Sequence, residues 1–162
     1  MSKCLAHSLG EVNSAIQQHD GLQKVYGGGY LSTELDNIYI TPGCFIIILV
    51  MRPNDPSVGH FIAAEKTKTG ELRFFDSLAI HPLKHGLQNF INVNTKDVYY
   101  YSNIKAQSNN SSCCAYFSLF FACKRFLNNM DFKNILKIFQ NNSCEENEKL
   151  VYNYVQNIFC FN

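Results

Sequence analysis

The 162-residue sequence predicts an α+β fold, a mixed central β-sheet flanked by helices. Three observations lead there. Residues 44–52, "CFIIILVMR", form a short β-branched run bounded by "TPG" and "PNDP", the pattern of a buried central strand. "HFIAAEKT" and "ELRFFDS" are strand-like and joined by a Lys-Thr-Gly turn, which makes them an antiparallel pair. After residue 112 the apolar residues recur at helical spacing instead.

The elements follow in order. Val12 and Ile16, four apart, predict a short helix from Leu9 to Gln18. Gly27 to Gly29 predict a loop with unusual backbone freedom, followed by a short helical "STEL" capped by Ser32. After the three strands, Leu83, Leu87, Phe90 and Ile91 lie at i, i+4, i+7 and i+8, one helix face. "DVYYY" is a further strand. Residues 112 to 128 read as a largely buried helix carrying Phe117, Phe120 and Phe121. Phe132, Ile135, Leu136 and Phe139 line the next helix, and Leu150, Val151, Tyr154, Val155 and Ile158 the last.

The length suits one compact domain over residues 1–162, and 46% of it is apolar. Fourteen basic and thirteen acidic residues leave a formal charge of +1, which argues against an electrostatic nucleic-acid or anionic-membrane surface. The longest apolar run spans eight residues, 44–51, too few to cross a bilayer as a helix, and the N-terminus lacks a signal-peptide pattern. Seven cysteines, an odd number, suggest a reducing compartment and mostly buried free thiols.

Two of those cysteines, Cys113 and Cys114, stand where a polar run, Gln107 to Ser112, meets the apolar helix. With Ser111 or Ser112 as N-cap, both would occupy the first helical turn. Unpaired N–H groups there favour a thiolate, the nucleophilic form. A base and an orienting group are then needed. His60 falls at the start of one predicted strand and Asp76 at the end of the next; in an antiparallel pair both project at the same sheet edge. Each residue type also has a plain structural use, as strand-end His, turn-forming Asp and packed Cys.

The order His60, Asp76, Gln107, Cys114 resembles that of the adenain-type viral maturation proteases and, more distantly, the SUMO-deconjugating proteases. "GHF" at 59–61 is similar to the Gly-His-Trp element of that family. "FFDSLAIHP" at 74–82 is similar to its Phe-Asp-Ser-Phe-Gly element. "YGGGYLSTEL" at 26–35 resembles the Gly-rich segment before the first strand, and "CAYF" at 114–117 stands where the family has Cys-Gly-x-Phe. The resemblance covers roughly residues 26–125. It implies a papain-like cysteine protease core of the adenain/SUMO-protease type. Cys114 would be nucleophile, His60 base and then acid, and Asp76 its orienter. Gln107 with the Cys114 N–H would form the oxyanion hole, and Cys113 would be a packed neighbour.

The implied substrates are viral capsid and core precursor polypeptides, cut near small-residue motifs in the virion or the host-cell interior. No cofactor or metal is implied. The activating peptide and DNA of adenain are not carried over, since residues 95–106 lack a cysteine and the net charge is near zero. Phe61 replaces Trp and Ala115 replaces Gly. Three other readings compete: a deconjugase for ubiquitin- or SUMO-like proteins, a silent interaction module, and a zinc site built from Cys4, His7, His81 and His85.

Overall fold

The computed structural model describes residues 4–52 and 55–161. Its centre is a five-stranded mixed sheet in the order β1-β2-β3-β4-β5. The strands are β1 (Tyr26–Leu31), β2 (Cys44–Arg52), β3 (Asp55–Lys66), β4 (Leu72–Phe75) and β5 (Tyr99–Tyr101). The β1/β2 and β4/β5 pairs are parallel, and β2/β3 and β3/β4 are antiparallel. The helices are α1 (Leu9–Gln17), α2 (Asp20–Gln23), α3 (Gln88–Asn94), α4 (Cys114–Ala122), α5 (Phe132–Gln140) and α6 (Cys144–Phe159).

Alternation along the two central strands builds two cores. Phe45 and Ile47 of β2 and Phe61 and Ala63 of β3 face one cluster, with α1, α4, α5 and α6. Ile46, Ile48, Val50, Ile62 and Ala64 face the other, with Leu87, Phe90 and Ile91. Helix α4 lies inside the first core. Ala115 to Ala122 are all buried, as expected of a helix apolar on every side. Phe121 stacks on Phe75 at 4.9 Å, and Phe117 and Phe120 close on Phe139. Each such ring contributes about 2–3 kcal/mol of burial.

Four local features differ from the sequence expectations. The Gly27–Gly29 segment is a strand rather than a loop. A side chain at Gly29 would collide with Leu9 of α1 and Tyr26, each 2.9 Å from the added carbon, so the glycines let the helix approach this edge strand. The "STEL" turn is 3₁₀, Ser32–Glu34, with Leu31 as its N-cap and no cap from Ser32. The helix expected through Leu83 is broken: Pro82–His85 forms a 3₁₀ turn, Gly86 closes it at φ 73°, and α3 starts at Gln88. Leu83 is therefore exposed while Leu87, Phe90 and Ile91 are buried. The long helix after residue 112 starts at Cys114, passes into a π turn over Cys123–Leu127 and ends there.

A larger correction concerns the thiols. Cys113 is not a packed free thiol: it forms a disulfide with Cys4, 109 residues away. Cys44, Cys114, Cys123, Cys144 and Cys160 are free. The bond ties the segment before α1 to the start of α4. At the other end of the α4 run, Arg125 pairs with the fully buried Glu65 of β3 at 3.0 Å. Helix α4 is thus fastened at both ends.

Closing so long a loop should stabilise the fold chiefly by restricting the unfolded chain. Cys4→Ser is expected to lower the unfolding free energy by about 2–4 kcal/mol. Urea titration without reductant measures it. Wild-type protein unfolded and refolded in dithiothreitol should show the same loss; no loss there would contradict the bond.

Candidate active site

The β3/β4 register sets Ala64 against Phe74 and Ala63 against Phe75. Continued by one step, it sets Asp76 against Ile62. His60 is two residues further along the same face, a diagonal neighbour of Asp76 across the pair. His60 lies within a twelve-residue β3 rather than at the strand's start, because β3 begins at Asp55. Its Nε2–H donates to Asp76 Oδ1 at 2.6 Å. The other ring nitrogen is uncommitted, and the imidazole and the Cys114 sulfur each shift the other's titration.

Cys114 opens α4. Its N-cap is Cys113, not a serine, and no side chain caps the helix at that position. Ser111 acts one step earlier, its Oγ accepting the Cys113 N–H at 3.1 Å. The first-turn amides are thereby left free of a capping side chain. The Ala115 and Phe61 amides both act on the Cys114 sulfur in the direction that favours its thiolate. Phe61, on the opposite face of β3 from His60, packs its ring into the α4 core.

The electrostatics of the three groups agree in direction. Burial pulls the His60 imidazole down, but hydrogen bonds and charges from Asp76 and Cys114 outweigh it and raise it to about 9. Burial pushes the Asp76 carboxyl up, but hydrogen bonds from His60 and His85, the His60 charge and the Leu78 N–H bring it to about 2. Burial pushes the Cys114 thiol up, but the His60 hydrogen bond and charge, with the two backbone N–H groups, bring it below its ordinary value. Both shifts favour a proton on the imidazole nitrogen over one on the Cys114 sulfur. Cys123, further along the same helical run, goes the other way: burial pushes it up to about 12.

Gln107 sits in the loop between β5 and α4, buried with 2% of its surface exposed. Its Oε1 accepts from Ser77 Oγ at 2.6 Å and its Nε2 donates to Ser111 O at 2.8 Å. These two bonds fix which end of the amide carries hydrogens and leave one N–H uncommitted. The Ser77 carbonyl also accepts from the Ala106 and Gln107 amides. All four residues predicted from the sequence are thus brought into one region. Three that carry it were missed. Ser77 orients Gln107. Ser102 holds the Asp76 backbone, accepting its N–H at 2.7 Å and donating to its carbonyl at 2.8 Å. His85 donates Nε2–H to Asp76 Oδ2 at 2.8 Å.

The zinc alternative dissolves. Cys4 is in the disulfide, His7 bonds Glu11 and Tyr116, His81 caps its own 3₁₀ turn, and His85 is on Asp76. Among the described residues no group of three or more potential ligands stands together. Two recesses open on the site. One, about 420 Å³, is lined by Cys114, Ala6, His7, Ser8, Met51 and Ser112 among others. The second, about 500 Å³, is lined by His60, His85, Lys84, Ile80, Val50 and Met51. They share Met51 and flank the Cys114–His60 pair.

The fold is that of a solved viral cysteine protease. The crystal structure of the ASFV pS273R protease matches 90% of this chain and 66% of its own, with TM-score 0.56 and 13% sequence identity. Its selenomethionine form matches 97% of this chain and 68% of its own, with TM-score 0.62 and 12% identity. The chain therefore spans about two thirds of the length of that protease. No protein-family model matches the sequence, and no curated protein matches it.

An ordinary thiol titrates near ~8.5 and is almost wholly protonated at about pH 6. Cys114 is expected to react rapidly with iodoacetamide at that pH, and its rate should collapse in His60→Ala. Mass spectrometry of the labelled peptides resolves it from the other thiols. Equal Cys114 rates in the two proteins would mean that the imidazole does not hold the thiolate.

Proposed function

We propose that the protein is a viral cysteine endopeptidase of the adenain-like kind, acting on capsid and core precursor polypeptides near small-residue sequences in the virion or host-cell interior. The observation that carries this reading is the half-buried Cys114 beside the buried His60–Asp76 pair, with Gln107 held nearby. The fold likeness to a viral cysteine protease supports it, and so do two recesses that give an extended peptide room on both sides of the sulfur.

The chemistry follows from the resting proton distribution. The Cys114 thiolate attacks the scissile carbonyl carbon, and the carbonyl electrons move to oxygen. The uncommitted Gln107 N–H and the Cys114 N–H, an amide without an intrahelical acceptor, stabilise that oxyanion. The imidazolium of His60 delivers its proton to the leaving amine as the C–N bond breaks, giving a thioester on Cys114. Water, deprotonated by the now neutral His60, attacks the thioester; the C–S bond breaks and the thiolate–imidazolium pair returns. In this scheme His60 acts as acid when the amine leaves and as base when water attacks. Asp76 keeps the ring in register throughout.

Incubation with the virus's co-encoded capsid precursors, followed by mass spectrometry of the new termini, tests the assignment. Native protein should create termini that Cys114→Ala does not. Reaction with a ubiquitin or SUMO vinyl sulfone, without precursor cleavage, would favour the deconjugase instead. Turnover should fall as pH rises through about 9, where His60 loses the proton it must donate. Gln107→Ala should lower kcat by roughly 10²- to 10³-fold, the usual effect of losing one oxyanion donor; a kcat within a few-fold of native would remove Gln107 from that role.

A further inference from the structure

We propose that His85 is a positioning residue for the site: it holds the second oxygen of Asp76 and so fixes the plane of the carboxylate that aligns His60. This rests on the cysteine-protease reading above. The two oxygens of Asp76 are used differently. Oδ1 accepts from His60 Nε2 at 2.6 Å and from the Leu78 N–H at 2.8 Å. Oδ2 accepts from His85 Nε2 at 2.8 Å. The carboxyl torsion of an aspartate is broad and weakly restrained by itself. With donors on one oxygen only, the group could pivot about that oxygen and the imidazole could tilt with it. A donor on Oδ2 removes that freedom and satisfies a carboxylate oxygen that burial has cut off from water.

The local fold delivers His85 to this place. Pro82 starts the 3₁₀ turn, the Leu83 N–H caps onto His81 Nδ1, and Gly86 in the left-handed region ends it directly after His85. Leu87, Phe90 and Ile91 then anchor the following helix in the sheet's second core. The His85 side chain is 9% exposed and lines the recess beside His60, with the two rings 6.0 Å apart. His81, which shares the turn, faces the other way and packs on Tyr99 and Tyr101. Only one histidine of the pair reaches the carboxylate.

The test compares His85→Ala and His85→Gln with native protein in two assays, precursor cleavage and Cys114 alkylation by iodoacetamide. Removing the donor should lower kcat roughly 10- to 100-fold, as small misplacements of reacting groups do, with KM within about twofold and the alkylation rate lowered in parallel. Glutamine carries an amide N–H of similar reach and should restore a large part of both. His85→Ala that keeps native kcat and alkylation rate overturns the proposal, as does His85→Gln no better than His85→Ala when both melt at the native temperature. If His85→Ala does not fold, His85→Gln against His85→Leu, which fills the space without a donor, decides on the same criteria. Equal Cys114 labelling in native protein and His60→Ala would instead sink the underlying protease reading, whatever His85 does.

Discussion

The groups at this site are arranged to favour a proton on His60 over one on the sulfur of Cys114. Both groups are largely withdrawn from water, and burial alone would neutralise each of them. A buried ion pair of this kind is a poor source of stability, since desolvating two charges costs about as much as their attraction returns. Its persistence here has to come from elsewhere. Asp76 supplies a negative charge behind the ring, and the amide dipoles of Phe61 and Ala115 lower the thiol.

That requirement explains why the surrounding fold is so heavily fastened. Donors and charges act at full strength only when they do not have to reorganise. Two sheet strands carry His60, Phe61 and the approach to Asp76, and their register is set on both faces by opposed cores. The sulfur stands on a helix buried on all sides. That helix is tied at its start through Cys113 to Cys4 and at its far end through Arg125 to Glu65. The disulfide is adjacent in sequence to Cys114, so it restrains the backbone on which that sulfur is hung and leaves the Cys114 thiol free.

What could be read from the sequence follows the range of the forces involved. Short-range patterns were legible: the Val12/Ile16 face of α1, the β-branched β2, and the apolar faces of α5 and α6. The meeting of His60 and Asp76 was legible too, because antiparallel pairing makes it a matter of counting. The helix start marked Cys113 and Cys114 together; the choice of Cys114, and Gln107, came from resemblance, and both lie in the same region as that pair. Long-range partners were not legible. Nothing local joins Cys4 to Cys113 across 109 residues, and an odd cysteine count pointed toward free thiols. Glycine's freedom argued for a loop at Gly27–Gly29, whereas α1 lying close against β1 is what excludes side chains there. His81 and His85 read as a ligand pair on spacing alone; a 3₁₀ turn closed by Gly86 sends them to different partners.

The two halves of the candidate chemistry meet at a single dipeptide. Asp76 faces His60, the proposed proton carrier, while Ser77 faces Gln107, the proposed oxyanion donor. Both residues hang from the same turn, pinned by Ser102 on one side and by the Ala106 and Gln107 amides on the other. The turn is closed by the Ala79 N–H on the Asp76 carbonyl, with Ala79 at φ 55°, a conformation disfavoured for any residue but glycine by about 1–2 kcal/mol. The element this stretch resembles has glycine at that place. Retaining the turn with alanine implies that its shape matters more than its local cost. A shift of that one backbone step would displace the general acid's orienter and the oxyanion donor's anchor together. The acid and oxyanion functions are therefore mechanically coupled, and substitutions on the two sides of the dipeptide should be strongly non-additive.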